Sequence, residues 1–298
     1  MISALGVIGA TSIVWMLAMD AVPPPPGVAR LHTARTESEP EAGGTHIRAE
    51  TVHGPVHVFV PAGFRRRDAG VVVYVHGLYV TVDGAWREHR LAEQFAASGR
   101  NAVFIAPEAP RAASDQLAWD DLGALVAVGL RAARLRPPGG PLVVAGHSGA
   151  YHTIVPWLAE PALRELVLLD ALYGNQDDFR AWLDGGADRR MTLVVKGTGR
   201  WADPFVAGFP GAVTVKAIPG GVGELPRAAR GAKLLCLRSQ YGHFELITEG
   251  RVLPVLLRRT GLRPLPAPAP PLPPAPAPPL PPPPSPPAAG PDVPGVPQ

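Results

Sequence analysis

Cysteine is almost absent: Cys236 stands alone in a chain of 298 residues, inside the apolar run 233–237. One thiol cannot close an intrachain disulfide, and a lone cysteine in such a run is expected to be buried and inert. An oxidising compartment is therefore neither required nor ruled out. Strong charge of either sign is missing too. The net charge of +3 is too mild for a nucleic-acid partner, and no basic stripe with interleaved aromatics appears. The short basic run Arg65-Arg66-Arg67 reads as a solvated loop. Walker-type phosphate loops, dinucleotide fingerprints and zinc-ligand spacings are absent as well, so no cofactor is expected. His53 and His57 would share a face of a single strand, but no third ligand is evident beside them, and no metal site is expected.

The two ends differ from the middle. Residues 2–19 are almost wholly apolar and stop at Asp20 and the proline run 23–26. They lack the basic residues and clear small-residue cleavage site of a standard signal peptide, yet are just long enough to span a bilayer. Residues 1–20 are read as an export signal or membrane anchor, giving an exported or membrane-anchored protein, with a cytoplasmic location left open. Residues 21–45 read as a linker rich in Pro, Gly, Glu and Thr. At the other end, half of the chain's 38 prolines lie between Pro264 and Pro297. Segment 264–298 lacks donors and apolar bulk, and is expected to be disordered, extended polyproline II, a stiff tail that could bind a partner.

Between them, residues 46–263 alternate strand and helix patterns. Strands are expected at 47–60 (two, around Gly54-Pro55), 71–75, 101–105, 142–145, 166–169, 192–195, 213–218 and 234–237. Helices are expected at 84–97, 117–135, 151–159, 178–183 and 246–260. Apolar strands alternating with helices predict an α/β domain with a mostly parallel central sheet and helices on both faces.

The informative stretch is Gly146-His147-Ser148-Gly149-Ala150, preceded by the strand at 142–145. A serine among small residues, where a strand turns sharply into a helix, has the form of a nucleophile elbow. The turn strains the serine backbone, and large neighbours would collide with strand and helix. A serine hydroxyl needs a base, and the base an orienting carboxylate. His243 follows the last strand, where a loop can carry an imidazole over the edge toward which the elbow points. Two acids compete. Asp170 ends the strand after the elbow and is favoured; Asp203, beyond the next strand, is the alternative. The oxyanion hole should draw on the N–H of Gly149 and a second N–H after His76-Gly77, from Leu78 or Tyr79. His76 should brace that loop, and Tyr79 and His147 are candidates for touching substrate.

The His-Gly step at 76–77, the elbow at 146–150 and His243 before a final helix together resemble the α/β-hydrolase fold superfamily over roughly residues 51–262. Ala150 departs from the usual closing glycine of the elbow. The resemblance implies a serine hydrolase acting on carboxylic esters, or on amides, without a cofactor. The interval from Asp170 to the strand at 192 holds one helix and no large cap domain. The alternative is a catalytically silent α/β-hydrolase-fold binding protein of the cell envelope.

Overall fold

A computed structural model describes residues 35–266 of the chain. The apolar segment at 2–19 and nearly all of the proline tail lie outside the described residues. One ten-stranded sheet organises the rest, in the order β1-β2-β3-β5-β4-β6-β7-β8-β10-β9. Its strands are β1 (Arg35–Glu41), β2 (Gly44–Thr51), β3 (Gly54–Pro61), β4 (Gly70–Val75), β5 (Ala102–Pro107), β6 (Leu142–His147), β7 (Leu163–Leu169), β8 (Arg190–Val195), β9 (Val213–Val215) and β10 (Leu234–Arg238). From β5 to β9 every neighbouring pair is parallel. The first three strands form an antiparallel meander joined to β5.

The central strands are buried along their whole length; β4, β5 and β6 expose no residue. Such two-faced burial needs helices on both sides. Helices α3 (Leu122–Ala132), α4 (Tyr151–Trp157), α5 (Gln176–Asp184) and α6 (Gly199–Ala207) cover one face, sharing a core with Val71, Val73 and Val75. Helices α1 (Val82–Glu88), α2 (Leu91–Ser98), α7 (Arg227–Gly231), α8 (Glu245–Thr248) and α9 (Val252–Arg259) cover the other, packing on Val72, Tyr74, Val143 and Leu235. Cys236 is buried in β10, as expected. The architecture is the expected α/β one, with the strand order and strand-to-helix elbow of the α/β-hydrolase fold. The β7–β8 connection holds the single helix α5.

Several expected boundaries move. Segment 35–45 is not linker: it forms β1 and the turn into β2. Apolar periodicity cannot reveal β1, because Arg-Thr-Glu-Ser-Glu-Pro-Glu has no apolar residue. It is held by pairing with β2, and its charges and proline are those of a protected edge strand. The helix expected at 84–97 is two helices, broken where Arg90 takes a left-handed φ of 49°. That at 246–260 is split into α8 and α9 by Gly250 at φ 73°. The long helix expected at 117–135 shortens to α3, whose first turn is capped by the Asp121 carboxylate accepting from the Ala124 N–H. Helix α6 was not expected, since its Gly199 and Pro204 read as loop signals. Among the described residues no helix is long and apolar enough to cross a membrane.

Candidate active site

Ser148 stands at the tip of β6, where the chain turns through a short 3-10 segment into α4. Its φ of 55° is left-handed, a conformation that costs a non-glycine residue energy and persists only where the surroundings enforce it. The packing around the turn does so. A Cβ on Gly146 would meet Ile154 Cδ1 at 2.5 Å and Ala150 Cβ at 2.9 Å. Glycine is thus needed at 146 because α4 folds back so closely. Ala150 is itself right-handed, with φ −56°, so the usual closing glycine is dispensable.

The upstream loop comes equally close. A Cβ on Gly77 would stand 2.9 Å from Ser148 Cβ, and one on Gly149 would strike Leu78 Cγ at 2.5 Å. Loop 76–79 therefore lies directly against the elbow. His76 holds it: Nδ1–H donates to the Gly77 carbonyl at 2.7 Å, and Nε2 accepts from the Ala109 N–H at 3.1 Å. Burial, its main cause, keeps the His76 pKa below the ordinary value, as this neutral tautomer requires. The Tyr79 N–H is spent on the Arg111 carbonyl at 2.8 Å. That leaves the Leu78 N–H as the donor at this turn, beside Gly149. Tyr79 is 90% exposed.

His243, between β10 and α8, reaches both partners. Its Nε2 lies 2.9 Å from Ser148 Oγ and its Nδ1 is 2.7 Å from Asp170 Oδ2. Asp170 is fully buried at the end of β7, with a left-handed φ of 48°. Its carboxylate accepts from the backbone N–H groups of Lys196, Gly197 and Thr198 and from Thr198 Oγ1 at 2.7 Å. Burial alone would raise its pKa. The hydrogen bonds from His243, Lys196, Thr198 and Gly197 outweigh that and hold the carboxyl well below the usual range. Of the two aspartates, Asp170 is the one in hydrogen-bond contact with His243; Asp203 sits on α6, more than half exposed, paired with Arg238 at 2.5 Å.

His147 differs from expectation. It is 3% exposed, and its Nε2–H donates to the His243 carbonyl at 3.0 Å. Facing inward from β6, it braces the His243 loop and is not placed to touch substrate. Burial, with the nearby His243 adding, lowers its pKa to about 3, so the ring is neutral.

Two features of the site escaped the sequence. One is the 196–198 loop, whose three successive backbone N–H groups converge on the Asp170 carboxylate; Lys-Gly-Thr directly after a strand was its signal. The other is a set of aromatic rings close to Ser148 and His243. Tyr173 follows Asp170 by three positions, and its hydroxyl reaches Ser148; burial raises its pKa, with the Asp170 charge adding and the Ser148 bond opposing. Tyr151 lies 6.0 Å and Trp201 5.1 Å from Tyr173. Phe244, 69% exposed, stands 5.2 Å from the His243 ring.

No family model and no curated protein matches the chain. Solved structures similar to it include an S-formylglutathione hydrolase from Agrobacterium tumefaciens, with 11% identity, 75% of this chain and 97% of that chain covered, and a TM-score of 0.48. A fluorophosphonate-binding serine hydrolase of Staphylococcus aureus is 10% identical over 76% of this chain and 98% of that one, also with a TM-score of 0.48. A thermostable carboxylesterase cloned from a metagenomic library is 13% identical over 80% and 92%, with a TM-score of 0.45.

Proposed function

We propose that the protein is a serine hydrolase that cleaves carboxylic esters, and secondarily amides, through an acyl-enzyme on Ser148. The observation that carries this reading is the unbroken hydrogen-bonded line Ser148 Oγ, His243 Nε2, His243 Nδ1, Asp170 Oδ2. In the first half-reaction Ser148 Oγ attacks the carbonyl carbon while His243 Nε2 takes its proton. The ionised Asp170 stabilises the imidazolium and fixes its orientation. The carbonyl oxygen gains negative charge as the bond forms, and the Gly149 and Leu78 N–H groups are the donors beside it. Collapse expels the alcohol, which leaves with the proton from His243. Water then repeats the sequence on the acyl-enzyme, with His243 as base, and frees the acid and Ser148.

A catalytically silent binding protein of the envelope is the rival reading. It gives no reason to keep Ser148 in a costly backbone conformation or to aim so many donors at one buried carboxylate. The exported or membrane-anchored location rests on residues 2–19 alone, and a partner for the proline tail on its composition. Reaction with a fluorophosphonate, combined with a chain-length series of aryl esters, tests the proposal. Folded wild-type protein inert to both would favour the binding module.

A further inference from the structure

The end of the sheet opposite Ser148, where β4, β5 and β6 begin, is built of loops rich in arginine. The sequence displays only the run Arg65-Arg66-Arg67. The fold adds Arg134 and Arg136 from the loop between α3 and β6, and Arg263 from the segment after α9. These segments meet through the backbone. The Arg65 N–H donates to Asn101 Oδ1 at 3.0 Å, and Asn101 Nδ2 donates back to the Arg65 carbonyl at 2.9 Å. The Asn101 N–H donates to the Arg263 carbonyl at 2.8 Å, and the Gly140 N–H to that of Ala69 at 2.8 Å. Asn101 is 1% exposed, so a buried clamp holds the segments side by side.

All six arginines are exposed, and none of their guanidinium groups has a partner among the described residues. Asp68 is the one carboxylate on these loops. Six positive charges and one negative leave +5, more than the +3 of the whole chain. The acids next along this edge are already taken: Asp188 pairs with Arg164 at 2.7 Å and Glu165 with Arg190 at 2.9 Å. The Ser148 end has the opposite sign. Its loops 108–121, 170–178, 196–203 and 238–249 carry eight exposed carboxylates against three exposed cations, Arg111, Lys196 and Arg200. The domain is therefore polarised along its strands, across the ~20 Å that a strand such as β6 spans.

We propose that this arginine-rich end docks the protein on an anionic phospholipid bilayer, with Ser148 turned away from the surface. The planar fork of a guanidinium takes phosphate oxygens two at a time, and these six break no bond within the protein to do so. Held together, their like charges repel, and a negative surface relieves that cost. A bilayer fits the patch better than a nucleic acid does. The arginines sit on loops at a blunt end, with no helix or strand to enter a groove. No exposed aromatic ring stands among them to stack on a base; Phe64 packs into the core. The apolar run at 2–19 points to the same partner. Fifteen residues, 20–34, join it to β1, which begins at the Ser148 end of the sheet. Fully extended they reach up to about 50 Å, well over the height of the sheet, so the basic end can still lie on the bilayer. Docking of this kind does not depend on what Ser148 does.

The test sediments the full-length chain with vesicles of phosphatidylcholine alone and of phosphatidylcholine mixed equally with phosphatidylglycerol. Each basic residue near an anionic surface contributes about fivefold. Wild type should therefore favour the anionic vesicles by about a hundredfold or more in about 0.1 M sodium chloride, and far less in about 0.5 M. The variant Arg66→Gln/Arg67→Gln/Arg134→Gln/Arg136→Gln should lose most of that preference, and lysine at the same four positions should keep it. These side chains hold nothing in the protein, so circular dichroism should stay native. Residues 2–19 are present throughout, so their own affinity for lipid cancels from the comparison. Equal binding of wild type to both vesicles, or a preference undiminished in the glutamine variant, overturns the docking surface. Tighter binding to a double-stranded DNA oligomer than to the anionic vesicles overturns it in favour of a nucleic-acid partner.

Discussion

His147 Nε2 donates to the backbone carbonyl of His243 across 3.0 Å, so the residue preceding Ser148 holds the loop that carries His243. The bond crosses from β6 to the segment after β10 and fixes His243 by its backbone. Replacing His147 with Phe keeps the ring and removes the donor. A net hydrogen bond is worth about 0.5–1.5 kcal/mol, so esterase kcat should fall by up to about tenfold, with partial recovery in His147→Gln. Unchanged kcat in His147→Phe would mean the loop is positioned without this bond.

Asp170 and Asp203 separate cleanly. Asp170→Asn should lower kcat by about 10⁴-fold, since an amide presents the wrong hydrogen-bonding pattern to His243. Asp203→Asn, which loses only an exposed pair with Arg238, should leave kcat within twofold or so of wild type. Steady-state kinetics on an aryl acetate reads both, and the reverse ranking would move the acid to α6.

The glycines at the elbow have distinct jobs. Gly149→Ala would drive a methyl into Leu78 Cγ, and Gly77→Ala into Ser148 Cβ. Each should displace an oxyanion donor and cost about 10²–10³-fold in kcat, while circular dichroism stays native. Full activity in either variant would show that loop 76–79 does not need this close approach.

Acid should destabilise the fold through buried neutral histidines. Burial lowers the pKa of His147 to about 3, with His243 adding, and that of His89 to about 4. In the unfolded chain both take up protons from about pH 6.5. The folded pKa values are depressed, so their stabilisation is complete above pH 6.5. It falls with pH until each folded pKa is reached. Each histidine costs about 1.4 kcal/mol per pH unit in that window. Urea unfolding between pH 6.5 and 4 should show the loss, and His147→Phe should lessen its slope by one proton. Identical slopes would contradict neutral burial of His147.

Much of the site is legible in the residues because its chemistry is local. The elbow needs small residues at 146 and 149, and the sequence has them next to a buried strand. Chain order then brings His243 and Asp170 to the same sheet edge. What stayed hidden depends on contacts between distant segments. The inward turn of His147, the 196–198 loop around Asp170 and the approach of Tyr173 to Ser148 are set by how strands β6, β7 and β8 lie side by side. Strand β1 was hidden for another reason: an edge strand held by pairing alone carries no hydrophobic pattern.

The proposed reaction requires Ser148 to be a nucleophile activated by His243. Incubation of the full chain with a fluorophosphonate, followed by intact-mass and peptide mapping, tests it most directly. One adduct per molecule is expected, on Ser148, lost in Ser148→Ala and strongly slowed in His243→Ala. Equal labelling of wild type and Ser148→Ala, or no labelling of a folded wild-type protein, would contradict it.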